Sequence, residues 1–261
     1  MSTSTEAGAA EAASAPATTP AERVRLFIQP VLVLIVGAAV VFWAFDRDLT
    51  ATQQENINPA NVATLIWQHL LITGAVTAIV LLVGVPLGVL VTRPGAKLLR
   101  PLFIGLANIG QAAPAIGLLV LLFLLTAKTG FWIGVLPIAL YSLLPVLSST
   151  ILGIDQVDRS LLDAGLGQGM SRQSLLLRVE LPLAVPYILA GLRTSLVLAV
   201  GTATLSFLVN AGGLGILIDT GYKLQDNVTL ILGSVLAVCL ALLVDWLGGL
   251  AEFFIGPKGL R

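Results

Sequence analysis

Apolar residues in this chain fall in long unbroken blocks rather than in stripes. The block 26–45 (LFIQPVLVLIVGAAVVFWAF) carries no charge. A second runs within 62–91, with Trp67 and His69 near its start. Further blocks cover about 102–125, 131–152, 186–209 and 228–254, and Lys128, Thr129 and Gly130 mark a short turn between the third and fourth. A helix apolar on every side has no face for water, and a bilayer core about 30 Å thick takes about 20 such residues to cross. The alternation of a barrel strand is missing, so the pattern predicts an all-α integral membrane protein with about six transmembrane helices. Pro86, Pro114, Pro137, Pro145 and the pair Gly84/Gly88 interrupt the blocks. Small residues four apart let helices approach closely.

The longest polar interruption between spans is residues 153–185, GIDQVDRSLLDAGLGQGMSRQSLLLRVELPLAV. Ile154, Val157, Leu161 and Ala164 recur at helical spacing, with Asp155, Asp158, Arg159 and Asp163 on another face. Gly165, Gly167 and Gly169 allow a sharp turn. Ser171 is placed to cap a second short helix through Leu175, Leu176 and Val179. Pro182 and Pro186 punctuate the return to the membrane, Pro186 suiting the first turn of span five. The expectation is a helix–turn–helix outside the bilayer, with an apolar face that needs a partner.

Composition agrees with the pattern: 57% of the 261 residues are apolar and 11% are charged, against roughly 25% charged in soluble domains. Formal net charge is zero, which gives no reason to expect a nucleic-acid partner. The distribution of cations is informative. With the N-terminus inside, Arg23, Arg25, Arg93, Lys97, Arg100, Arg159, Arg172, Arg178, Arg193, Lys258 and Arg261 face the cytoplasm and only Arg47, Lys128 and Lys223 lie outside. The positive-inside rule then puts both termini in the cytoplasm. Residues 1–22 hold Ala, Ser, Thr, Pro and three Glu without Lys or Arg, which reads as a disordered tail rather than a secretory signal.

Catalytic chemistry is hard to assemble. The single His69 and single Cys239 leave no His/Cys metal cluster, and His69 beside Trp67 reads as a ring at the membrane surface. No G-x-x-x-x-G-K-[ST] loop is present, so the chain itself is not expected to hydrolyse ATP. The stretch AGGLG (211–215) reads as a turn or gate element on the outer side. Arg193 and Asp245 are charges in or beside spans, open to pairing within or between subunits or to snorkelling. Asn108, Gln111 and Ser206 are polar positions able to line a pathway.

Asp163-Ala164-Gly165, then Gly169, Val179, Leu181 and Pro182 resemble the cytoplasmic signature of permeases of binding-protein-dependent ABC importers. That signature is Glu-Ala-Ala, then Gly, an apolar residue, Leu and Pro at the same spacing; Asp163 replaces Glu and Gly165 replaces the second Ala. The segments QHLLIT (68–73), GVPLGVLVTR (84–93), NIGQAAPAIGLL (108–119), LYSLLPVL (140–147) and NAGGLGILIDTGY (210–222) look like the osmoprotectant branch.

The resemblance implies the core fold of type I ABC importer permeases over 61–255, after a first transmembrane helix and outer loop at 23–60 and before a cytoplasmic tail at 256–261. It implies import of a quaternary-ammonium solute such as glycine betaine, choline or carnitine, or of proline. It also implies ABC ATPase subunits carrying ATP-Mg, an extracytoplasmic substrate-binding protein, a second permease copy (identical or related) and a bacterial inner-membrane location. This chain itself would carry no cofactor and no metal. Asp163, Ala164, Gly165, Gly169, Met170, Ser171, Val179, Leu181 and Pro182 would form the ATPase-coupling segment. Two other readings stand beside it: a self-contained secondary transporter or channel, and an importer permease for another small solute such as an amino acid. Intramembrane ion-coupling groups or repeated halves would favour the former.

Overall fold

The structure, a computed structural model, describes residues 20–255, with side chains described from Phe27. The disordered stretch expected at 1–22 lies outside the described residues up to Thr19, as does the tail 256–261. Helix α1 (Pro20–Phe45) leads to a short α2 (Ala51–Asn56) and then to α3 (Pro59–Thr92). A 3₁₀ turn precedes α4 (Arg100–Ala112), α5 (Ala115–Thr126) and α6 (Phe131–Asp155). Next come α7 (Arg159–Gly167), α8 (Arg172–Leu175), a π segment (Leu176–Glu180) and α9 (Leu181–Ala203). A 3₁₀ stretch (Thr204–Val209), α10 (Gly215–Lys223) and α11 (Asn227–Ile255) complete the chain. No strand occurs among the described residues.

Five helices are long and apolar enough to cross a membrane, or six if α4 and α5 form one broken span. The third span differs from the continuous helix expected over 102–125. Its two halves meet at 100°, because Ala113 is extended (φ −67°, ψ 139°) ahead of Pro114, which opens α5. Proline disfavours the helical region in the residue before it and offers no N–H. At 1.5 Å per residue each half is only about 20 Å long, too short to cross alone. Pro86, Pro137 and Pro145, by contrast, sit inside helices that continue past them.

Helix α6 is central, packed against α3, α4, α5 and α9. Lipid tails are as apolar as leucine, so close fit drives helix association in a membrane. Gly84 and Gly88 supply that fit: a methyl group on Gly88 would lie 2.7 Å from Cβ of Thr150, and one on Gly84 3.2 Å from Val146. Across α6, Ser195 of α9 donates to the Ser142 carbonyl oxygen at 2.6 Å. Ile72, Val76, Val80, Val135, Val146 and Ala199 fill the central core. Helix α1 packs along α11 and otherwise exposes Phe27, Ile28, Leu32 and Ile35, a lipid-facing surface.

Outer connections are fixed by caps. Thr50 and Gln53 form a reciprocal capping box on α2. Gln53 also donates to Asp226 at 2.8 Å, and Asp226 accepts from the Val228 N–H at 3.0 Å at the start of α11.

Candidate functional site

The stretch Arg172–Val209 is one 38-residue apolar element. At about 1.5 Å per residue it reaches roughly 55 Å, nearly twice a bilayer core. Part of it must stand outside the membrane, and Arg172, Arg178 and Glu180 mark its first turns as that part; α7 packs there against α8.

Asp158 starts this protrusion by accepting from the Ser160 N–H at 2.8 Å. The Ser160 backbone and side-chain hydrogen bonds hold the Asp158 carboxyl below the usual carboxylate range. Because Asp158 caps a new helix, the single face expected from Ile154, Val157, Leu161 and Ala164 is divided. Ile154 and Val157 are buried at the end of α6 and in the link, whereas Ala164 is exposed. The buried position of α7 is Gly165, above Leu175 of α8. A methyl group there would lie 2.6 Å from Cδ1 of Leu175, so a Cβ at this place needs the end of that side chain to turn aside. Asp163 is exposed, and Leu161 and Leu166 present apolar surface about half open to solvent.

Helix α7 ends in a Schellman motif. The Met170 N–H donates to the Gly165 carbonyl and the Gly169 N–H to the Leu166 carbonyl, each at 3.0 Å. Gly169 sits at φ +84°, a left-handed conformation that side chains with a Cβ resist. Ser171 then caps α8, accepting from the Ser174 N–H at 3.2 Å. The sequence placed the turn among Gly165, Gly167 and Gly169 and the cap at Ser171; Gly169 makes the turn, while Gly165 and Gly167 lie within α7.

Beyond α8 the chain does not break as expected. The π segment carries it into α9, with the Leu181 N–H reaching back to Leu176, and Pro182 lies in the first turn of α9. Pro186 lies inside α9 rather than at its start. Val179 is half-buried on the π segment. A π bulge inserts one residue into a helix and here precedes a proline that an α-helix interior would resist.

Two ion pairs fasten the roots of the protrusion. The Arg93 guanidinium grips both carboxylate oxygens of Glu180, with Nη1 to Oε1 at 3.1 Å, and Glu180 is only 5% exposed. Arg100 Nη1 donates to Asp155 at 2.6 Å in a more open setting. Sequence reasoning used both arginines only as topology charges; Glu180, a lone acid inside LLLRVELPL, was the available signal.

The remaining predicted positions lie elsewhere. Asn108 and Gln111 are one turn apart on α4, Asn108 exposed and Gln111 half-buried, just before the break. Ser206 is fully buried, with its hydroxyl 2.7 Å from the Ala203 carbonyl and 2.6 Å from that of Gly212. His69 is not at the surface. It is wholly buried, Nε2 lying 3.0 Å from the Val200 carbonyl and Nδ1 accepting from the Leu214 N–H at 3.3 Å. Gln68 accepts from the Gly213 N–H at 3.1 Å. The AGGLG stretch, with Gly212 and Gly213 both at φ +93°, is thus held against α3. Arg193 pairs with Asp245 between α9 and α11, through Nε at 2.7 Å and Nη2 at 2.9 Å. Among the described residues no group of His, Cys, Asp and Glu is arranged to hold a metal.

Residues 84–255 match the family described as "Binding-protein-dependent transport system inner membrane component". The chain belongs to this family. It is 36% identical over 208 residues to the osmoprotectant import permease protein OsmW of Salmonella typhimurium, covering 78% of this chain and 96% of that one. It is 37% identical over 201 residues to the carnitine transport permease protein OpuCD of Listeria monocytogenes, covering 77% and 89%. A glycine betaine/carnitine/choline permease of Bacillus subtilis is 36% identical over 194 residues, covering 74% and 88%. In fold the chain is similar to a chain of an inward-facing MetNI methionine ABC transporter, with a TM-score of 0.64 and 24% identity over 75% of this chain and 96% of that one. The protein is an inner-membrane permease subunit of an ATP-driven, binding-protein-dependent importer, and its fold is that of a type I importer permease.

Proposed function

We propose that this permease carries a quaternary-ammonium osmoprotectant, of the glycine betaine, carnitine or choline type, and that the α7–α8 protrusion is where a separate ATPase subunit drives it. The named relatives support the substrate class. The observation that carries the coupling reading is the apolar, Schellman-turned protrusion fastened by ion pairs at both roots.

In this reading the bundle stands with both termini in the cytoplasm. Two copies of this chain, or this chain and a related one, each present a protrusion to one of two ATPase subunits, which hold the ATP-Mg. Asp163, Ala164, Gly165, Gly169, Met170 and Ser171 form the docking element, and Val179, Leu181 and Pro182 join it to span five. ATP-driven closure of the ATPases draws the protrusions together. The continuous α8–π–α9 element then carries the displacement into the membrane. A substrate-binding protein delivers solute at the opposite end, and Asn108 and Gln111 serve the pathway.

The test is uptake of labelled glycine betaine, carnitine and choline into proteoliposomes containing this chain, its ATPase and its binding protein. Uptake should require ATP and all three proteins. Asp163→Cys should react with an impermeant maleimide only from the ATPase side. Uptake by this chain alone without ATP, or labelling from the opposite side, would refute the reading.

A further inference from the structure

The two ion pairs share a topology that the docking reading does not require. Residues 93–100 run from the C-cap of α3 to the first residue of α4. The first of these residues pairs with Glu180 and the last with Asp155. Asp155 and Glu180 are the two roots of the protrusion. One short connector therefore holds both ends of the element that meets the ATPase.

The two joints differ in strength. Arg100 and Asp155 are each more than a third exposed along their side chains, at 37% and 38%, so water competes for them. Glu180 is buried, and its partner is itself fixed to α3. Arg93 caps that helix, and its Nε lies 3.3 Å from the Val89 carbonyl and 3.2 Å from the Thr92 hydroxyl. A guanidinium bound at its base and gripping a carboxylate by two parallel hydrogen bonds resists rotation as well as separation. The buried carboxylate has strong reason to keep its partner, since an unpaired buried charge is costly.

Covalent continuity links the protrusion to α6 and α9 but not to α3. From these observations we infer that Arg93 and Glu180 form a mechanical joint that obliges α3 to move with the protrusion, so that spans two and five respond to the ATPase together. Arg93 and Glu180 act as positioning residues, and the weaker Arg100–Asp155 pair aligns the other root. This inference rests on the docking reading given above.

The experiment uses the assembled complex of permease, ATPase and binding protein in proteoliposomes, measuring glycine betaine uptake and ATP hydrolysis in the same samples. Glu180→Gln should keep the ATPase bound and hydrolysing while solute moved per ATP falls about tenfold, an ordinary size for coupling between sites. Arg93→Lys, which keeps the charge but not the two-point grip, should give an intermediate ratio. The exchange Arg93→Glu with Glu180→Arg should restore much of it. An unchanged ratio in both single variants overturns the inference. So does a parallel loss of bound ATPase, hydrolysis and uptake without recovery in the exchange, the result of a purely structural contact. If the wild-type permease fails to retain the ATPase at all, the docking reading fails first.

Discussion

His69 Nε2 lies 3.0 Å from the Val200 carbonyl oxygen, joining span two to the end of span five inside the bundle. Because Nδ1 accepts from the Leu214 N–H, the proton sits on Nε2 and the ring donates to Val200. One neutral tautomer thus serves a backbone carbonyl and a backbone amide at once. Replacing His69 with Leu removes both hydrogen bonds and leaves the buried Leu214 N–H without its partner, at about 1–3 kcal/mol. The expected result is a fall of several degrees in the thermal unfolding midpoint of the purified protein. His69→Asn, whose oxygen can still accept from Leu214, should recover part of the loss.

Gly165 and Gly169 should respond oppositely to alanine. At Gly165 the obstacle is the end of the Leu175 side chain, which can turn aside, and alanine gains up to about 1 kcal/mol of helix propensity. At Gly169 nothing stands in the way of a methyl group, but φ is +84°, which costs L-residues about 1–2 kcal/mol. Gly165→Ala should therefore leave ATPase co-purification intact. Gly169→Ala should weaken it, and Gly169→Asp should uncouple transport without affecting insertion, as read by membrane yield and uptake.

Asp226 provides a pH-dependent contribution outside the spans. Burial pushes its pKa up, but hydrogen bonds from Thr229, Gln53 and the Val228 and Thr229 backbone together hold it below its usual value of 3.8. A carboxyl with a lowered folded pKa stabilises the fold above its unfolded pKa and loses that contribution as pH falls through the folded value. The midpoint difference between wild type and Asp226→Asn should thus be full above about pH 4 and shrink below it. A constant difference from pH 7 to pH 3 would contradict the assignment.

Arg193 and Asp245 test the cohesion of α9 and α11. Removing Asp245 leaves Arg193 with the longer contact to Glu252 at 3.9 Å, so the cost is below the roughly 3–5 kcal/mol of a broken buried pair, the more so because Arg193 is partly open. Asp245→Ala should lower yield and unfolding midpoint. Arg193→Met combined with Asp245→Leu should recover most of both, measured by size-exclusion profile and thermal scan.

Hydropathy made the spans countable because each block is apolar on every side, and no other solvent accepts such a helix. It says nothing about direction, so Pro114 read only as an interruption of an apolar block and not as a turn. The sharp turn at Gly169 and the cap at Ser171 were legible because both depend on local backbone chemistry. Arg93 with Glu180, and His69 with Leu214, depend on residues 87 and 145 positions apart, and no periodicity records such meetings. The face expected from Ile154 to Ala164 failed for a local reason: the Asp158 carboxylate served the Ser160 N–H and began a new helix.

The π segment before span five has a consequence for the bearing of the protrusion. One residue more than a regular helix needs turns everything upstream by about 100° around the axis of α9. Deleting one residue from Leu176–Glu180 would leave an uninterrupted apolar rod, yet its outer arm would point along a different compass heading. The bearing of the protrusion is therefore set by residue count within five positions, independently of the side chains at the tip.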